Sequence, residues 1–354
     1  METTSSDSIH SDRAATLPYP PSIIDRFMRF VQRLPLPYWL TYLLLFVLEV
    51  LIHHVVDWMD GSLPAFHFRL LICFWPLLIW GPLAIMTYLD AIARQALSAF
   101  SPLLDIHPET MRRLEYEFTT MPPRGVFLRG VVFTALYVAF MVKIALPVIA
   151  PSAHETPLTL VLSTVEGFFA FNNGLFYHTM RQLRLVNRTV KLVKQFDLFR
   201  LDAVYSFSQL TARTGVAWLL LASLILVIGP LQLSPVPIFA FQGMGIAAAL
   251  AAFALPLWVV HRRLVAEKRG LVAAHDQRVK SALAKLHNAL DKERLEDVYQ
   301  LSSALDGLTA EAAILDKIRT WPWSAETLAG FLSAIVLPMA LFFLQLVLQK
   351  WLGG

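Results

Sequence analysis

Three ionisable residues lie inside long apolar runs: Glu49, Lys143 and Glu166. A charge within the hydrocarbon of a bilayer is costly, so each needs a partner or a purpose. Each sits about six to eight residues from the outer end of its run, a shared depth at about 1.5 Å per residue. A carboxylate–ammonium–carboxylate cluster is therefore expected in the outer half of the membrane. Its chemistry would be that of an outward-facing site for an ion, a proton or a charged ligand. The competing expectations are an ion cluster that only orders the bundle, or Lys143 snorkelling to the nearby interface. Glu49 also begins a second pattern: Glu49, His53 and Asp57 are spaced i, i+4, i+8 and share a helix face, with His54 adjacent. His67, His154 and Glu155 fall on the same outer side. Imidazole and carboxylate together suit a metal or a sensor of external pH. The spacing matches no metal motif, so no metal is expected, and polar residues at the interface remain an alternative. Asn172, Asn173 and His178 would carry a polar path inward or bond across helices.

Enzyme signatures are absent. No Walker A loop, Gly-x-Ser-x-Gly elbow or His-Glu-x-x-His occurs. Glu115-Tyr116-Glu117 has no His at helical spacing. The chain is expected to be no enzyme and to use no cofactor. A pI near 9.2 would suit nucleic acid, but the placement of the charges explains it, so no nucleic-acid partner is expected. The single Cys73 rules out a disulfide within the chain.

The elements that must position these residues are membrane spans. Of 354 residues, 56% are hydrophobic and only 16% charged, against about 25% charged in a soluble domain. Seven runs are long enough to cross about 30 Å of hydrocarbon. They lie near 37–56, 69–89, 128–149, 158–178, 215–232, 238–260 and 325–348. The expected fold is all-α: a polytopic membrane bundle of about seven helices with a cytoplasmic antiparallel helical hairpin. It divides into a disordered polar tail over 1–21, a six-span bundle with cytoplasmic extensions over 22–260, the hairpin over 261–323, and a seventh span with a short external end over 324–354. From Ser22 the apolar residues recur at helical spacing with Arg26, Arg29 and Arg33 between them, which predicts a short interfacial helix. The N-terminus is polar for about 35 residues, so no signal peptide is read. Pro102 should stop the second helix, and Pro108 should begin another that runs to about Thr119.

Lys and Arg set the orientation. Of the 30, 27 fall in 1–36, 89–129, 179–213 and 261–323, the others being Arg69, Lys143 and Lys350, while 57–68, 150–157 and 233–237 carry none. This is the positive-inside pattern, and it predicts a cytoplasmic N-terminus and an external C-terminus in the plasma membrane. On the extension of the fourth helix, Arg181, Arg184, Arg188 and Lys191 fall three or four apart. They form either a stripe for anionic lipid head groups or a solvated basic face that anchors topology. In the hairpin, Val298, Leu301, Leu305, Leu308, Ala312 and Leu315 step alternately by three and four, a heptad seam. The expected partner face carries Leu264, Leu271, His275, Val279, Leu283, Leu286 and Leu290 across a turn at Asp291-Lys292-Glu293. The expected partners are the lipid bilayer and further copies of the chain, through the spans or the hairpin.

Seven spans, an internal N-terminus and a helical hairpin before the last span resemble the architecture of insect gustatory-receptor-like ion channels. In that family the last helix lines the pore of a tetramer and carries a Thr-Tyr, aliphatic, Gln-Phe pattern. Here Leu344-Gln345-Leu346 supplies the Gln, without the Thr-Tyr before it or the Phe after it. The resemblance implies a channel. Without it, the chain reads as a channel or ligand-gated pore, a scaffold or signalling protein acting through the hairpin, or a small-solute transporter.

Overall fold

The computed structural model describes residues 17–145, 157–194, 196, 198, 201–228, 235–336 and 340. The described residues are helical with no strand. We number the helices α1 (Ile23–Gln32), α2 (Tyr38–Asp60), α3 (Phe74–Phe100), α4 (Pro108–Thr119), α5 (Pro123–Phe140), α6 (Pro157–Phe171), α7 (Leu175–Lys191), α8 (Asp202–Ile228), α9 (Pro235–Asp291), α10 (Leu295–Lys317) and α11 (Ala325–Val336). Four helical stretches are long and apolar enough to cross a membrane: Tyr38–Asp60, Leu70–Leu103, Pro108–Lys143 and Gly245–Asp291. Ala325–Val336 is a shorter apolar helix.

Local chemistry sets the ends. Ser22 and Asp25 form a capping box at the start of α1: the Ser22 hydroxyl accepts from the Asp25 N–H at 3.2 Å, and Asp25 Oδ2 accepts from the Ser22 N–H at 3.0 Å. The same Oδ2 accepts from the Met121 N–H at 2.9 Å, so the cap also fixes α1 to the link between α4 and α5. Gly61, at φ 80, closes α2 in the left-handed region. Pro108 begins α4, and α3 ends at Phe100 in a 3₁₀ turn over Ser101–Leu103. Two features depart from plain spans. The fourth run is broken, with α6 ending at Phe171 and α7 restarting at Leu175 across Gly174 at φ 95. Within the third run, α5 passes into a π turn over Met141–Ala145.

The polarity of α2 is that of a membrane helix. Leu44, Val47, Leu48, Leu51, Ile52 and Val55 are exposed, while Thr41, Tyr42, His53, His54 and Asp57 are buried. A helix that turns its polar side chains inward and its aliphatic ones outward needs an apolar solvent. Exposed Leu128, Val131, Val132 and Leu136 on α5 repeat the pattern.

The largest apolar core lies where α3, α4, α7, α8 and α9 meet, around Phe100, Phe118, Val186, Phe207, Leu257 and Leu264. Phe207 is fully buried, with its ring 4.4 Å from Phe100 and stacked 6.1 Å from Phe118. Burying such a side chain is worth about 1.5–3 kcal/mol. A second core joins Met28 and Val31 of α1 to Tyr42, Met86, Leu175 and Leu221. A third packs α8 on α9 and α11. Gly215 permits it, since a Cβ there would lie 2.9 Å from the Ala249 carbonyl and 2.6 Å from the Phe331 ring. Phe253 stacks on Phe331 at 4.1 Å and on Trp323 at 5.1 Å, and Trp321 stacks on His261 at 4.1 Å. The Trp321-Pro322-Trp323 segment thus ties α11 to the middle of α9.

Beyond this layer α9 runs on with α10 beside it. His275 Nδ1 lies 3.1 Å from Glu311 Oε2, and the Lys268 ammonium donates to the Asp316 and Ile318 carbonyls at 3.1 Å each. His261 meets the Thr320 carbonyl at 2.9 Å. These pairs run in opposite directions along the two helices. On α10, Val298, Leu301, Leu305, Leu308 and Ala312 are half-buried and Leu315 is buried. The facing side of α9 is Leu264, Lys268, Val272, His275, Val279, Ala282, Leu286 and Ala289, all buried or half-buried. Leu271, Leu283 and Leu290, expected in that face, are exposed. Val272, Ala282 and Ala289 take their places in the contact, and these three leucines flank it.

Candidate functional site

Two nodes of buried polar side chains lie between the apolar helices. The first joins α2, α3 and α6. His53 is its centre: Nδ1 faces Glu166 Oε1 at 3.2 Å, and Nε2 faces Asp57 Oδ1 at 3.9 Å. His53, Asp57 and Glu166 are all buried. Glu49, one turn away on α2, accepts a short hydrogen bond from the Trp80 indole of α3. Glu49, His53 and Asp57 share a face because they are four residues apart, and Glu166 reaches that face from α6. An imidazolium at His53 would satisfy a carboxylate on each side. Among the described residues, no group of three or more His, Cys, Asp and Glu is arranged to hold a metal ion.

Lys143 is not in this node. It lies in the π turn after α5, is exposed, and makes no ion pair among the described residues. The sequence places Lys143 at the depth of the two glutamates but says nothing of its rotation about the helix axis. The position opposite Glu166 is held by His53 instead. His54 is fixed by other bonds. Its Nδ1 donates to the Val50 carbonyl at 2.8 Å, its Nε2 accepts from the Arg69 N–H at 3.2 Å, and its ring stacks on Phe68 at 4.7 Å. Both nitrogens are then occupied by a neutral ring, so His54 fastens the α2–α3 connection.

The second node joins α3 and α7. Asp90 Oδ1 accepts from His178 Nε2 at 2.8 Å and from the Gln182 amide at 3.1 Å. The same amide donates to the Phe118 carbonyl at 3.1 Å. All three side chains are at most 3% exposed. His178 Nδ1 and Gln182 Oε1 are buried without a hydrogen-bond partner among the described residues. Asp90, one residue beyond the second apolar run, is not among the residues that the sequence pattern singles out. The signal that could have found it is the pairing of that lone acid with His178 and Gln182, four apart at the matching end of another run.

Between the nodes lie Tyr42 and Thr87, whose hydroxyls are 3.1 Å apart, and the α6–α7 break. At the break Asn173 donates to the Leu78 carbonyl at 3.1 Å, and its Oδ1 accepts from the Leu175 N–H at 2.8 Å. Arg129 of α5 donates to the Asn172 carbonyl at 2.9 Å. Asn173 thus bonds the Leu175 N–H at the restart of α7 and the Leu78 carbonyl of α3, to which Pro82 has no N–H to donate, while Arg129 takes the Asn172 carbonyl in the break.

The basic stripe on α7 splits. Arg181 turns inward, donating short bonds to the Glu117 carbonyl and to the Tyr19 hydroxyl. It caps the last turn of α4. Burial pushes the Tyr19 hydroxyl up to about 12, against the nearby Arg181, so it stays protonated and donates to the Thr120 carbonyl at 2.9 Å. Arg188 lies 3.6 Å from Glu117. Arg184 and Lys191 are exposed and make no ion pair among the described residues. Only these two are free to meet an external anion.

No protein-family model, no curated protein and no solved structure matches the chain. The resemblance to gustatory-receptor-like channels therefore rests on the expected order of spans, and Leu344-Gln345-Leu346 lies outside the described residues.

Proposed function

We propose that the chain is a channel-like protein of the plasma membrane that conducts a proton or a small cation. In this reading it has seven spans, a cytoplasmic N-terminus, an external C-terminus, and α9 and α10 as a cytoplasmic hairpin. The observation that carries it is the first node. Four ionisable side chains, Glu49, His53, Asp57 and Glu166, converge from two apolar helices, three of them buried. Grouped ionisable residues within spans mark ion and proton paths. With α2 running outward, this node faces the external side. The test is flux into liposomes reconstituted with the purified chain, followed with a pH dye and a cation dye in parallel. Wild-type protein should carry one of the two, and Glu166→Gln should reduce it. Liposomes as tight as protein-free ones would remove the proposal.

A second reading, an assembly module acting through the hairpin, is favoured by one observation. Leu271, Leu283 and Leu290 of α9 and Leu295, Tyr299 and Ile314 of α10 are exposed. Native mass measurement of the purified chain would separate the two. A homo-oligomer that dissociates when these leucines become polar supports assembly.

A further inference from the structure

We propose that Asp90 and His178 form a second proton-binding site, in series with the first node and on its cytoplasmic side, so that the conducted ion is the proton. This rests on the conduction reading and names its substrate.

Three observations carry it. The first is the chemistry of the pair. A carboxylate and an imidazole 2.8 Å apart, both almost fully buried, can exchange a proton without bulk water. The second is the buried Nδ1 of His178, which has no partner among the described residues. With Nε2–H donating to Asp90, Nδ1 presents a lone pair, and a buried lone pair without a donor is costly. A proton arriving on Nδ1 makes the imidazolium, and the Nε2 proton then passes to Asp90 Oδ1. The imidazole is left neutral with its proton on Nδ1, and Asp90 is left as the acid. One proton has entered and one has been stored. Gln182 holds the pair in register by donating to both Asp90 Oδ1 and the Phe118 carbonyl.

The third observation is the alignment of polar groups between the nodes. Trp80, Thr87 and Asp90 lie on α3, with Trp80 and Asp90 about 15 Å apart along the axis. Each meets a polar group of a neighbouring helix: Glu49 and Tyr42 of α2, then His178 of α7. The path runs from Glu49 and Trp80, past the hydroxyls of Tyr42 and Thr87, to Asp90 and His178. Besides His178, the charges that bear on Asp90 are Arg94 of α3 and Asp25 of α1, and Tyr42 of α2 lies close to it.

Infrared difference spectra of the full chain between acid and neutral pH test the site directly. The wild type should show the C=O stretch of a protonated carboxyl that disappears in Asp90→Asn and shifts in Asp90→Glu. Proton flux into liposomes should fall by about tenfold or more in Asp90→Asn and in His178→Gln, and recover partly in Asp90→Glu. A wild-type spectrum in which no carboxyl band depends on Asp90 overturns the site. So does unchanged flux in Asp90→Asn and His178→Gln when the wild type conducts. A wild type that carries the cation but no proton overturns the proton assignment and leaves the conduction reading standing; a wild type that carries neither removes that reading, and the infrared band alone then decides whether the pair binds a proton.

Discussion

His53 is the residue on which the first node depends. Replacing it with Leu leaves Glu166 and Asp57 facing each other with no proton donor between them. Removing one partner of a buried pair costs about 3–5 kcal/mol, so His53→Leu should destabilise the detergent-purified chain by that order. Adding Glu166→Gln should recover part of the loss, and a double-mutant cycle measures the coupling. Lys143→Met, at an exposed position, should stay within about 0.5 kcal/mol of the wild type. An equal loss in Lys143→Met and His53→Leu would put Lys143 back in the cluster. The sequence carried the depth of these residues, because counting along an apolar run measures distance along the axis. Rotation about that axis is set by packing, and it turned Lys143 away. A second residue-level effect lies outside the spans. The hydrogen bond from His275, with Arg278 beside it, holds the Glu311 carboxyl below the usual carboxylate range. A depressed carboxylate stabilises the fold above its unfolded pKa, and the contribution is lost as pH falls through the lowered folded value. Hydrogen-exchange protection in α9 and α10, taken relative to the intrinsic exchange rate at each pH, should therefore fall on acidification below about pH 4. In Glu311→Gln this acid-driven step should be missing.

Among the elements, the broken fourth helix is the clearest case of sequence chemistry outvoted by composition. Asn172-Asn173-Gly174 is a turn signal, yet the apolar residues on both sides read as one span. The structure follows the turn and meets its demands with Asn173 and Arg129. Gly174 adopts φ 95, and a Cβ there would lie 2.8 Å from Ile24 Cδ1. Gly174→Ala should cost about 1–2 kcal/mol from the backbone alone and should loosen α1 from the bundle. Faster protease cleavage near Arg26 in that variant is the expected readout, and unchanged cleavage would mean that α1 is held without Ile24. Other boundaries were legible because one residue type forces them. Pro108 began α4 and Ser22 capped α1 as their side chains require. The π turn at Met141–Ala145 has no such marker. In α9 the expected Leu264, His275, Val279 and Leu286 lie in the contact face, whereas Leu271, Leu283 and Leu290 give way to Val272, Ala282 and Ala289.

For the whole molecule, the proposed orientation follows from where Lys and Arg fall. Reporter fusions near residues 200 and 290 should be cytoplasmic, and a fusion at Gly354 should be external. A cytoplasmic Gly354 would require an even number of spans. One further property comes from α9 being a single helix over Pro235–Asp291. No loop separates the segment packed in the bundle from the segment paired with α10, so α9 is a lever. Its fulcrum is Pro256, where a backbone hydrogen bond is lost and helices bend most easily. From there to Asp291 is about 50 Å, so a tilt of about 5° sweeps the tip through about 4 Å. The stacked rings of Phe253, Trp323 and Phe331 lie just beside that fulcrum. Spin labels at Lys292 and Arg113 should therefore change separation by several ångströms in Phe331→Ala, and an unchanged distance would show that α9 flexes along its length. If the lever holds, a sub-ångström repacking beside the spans is read out as a visible displacement far from them.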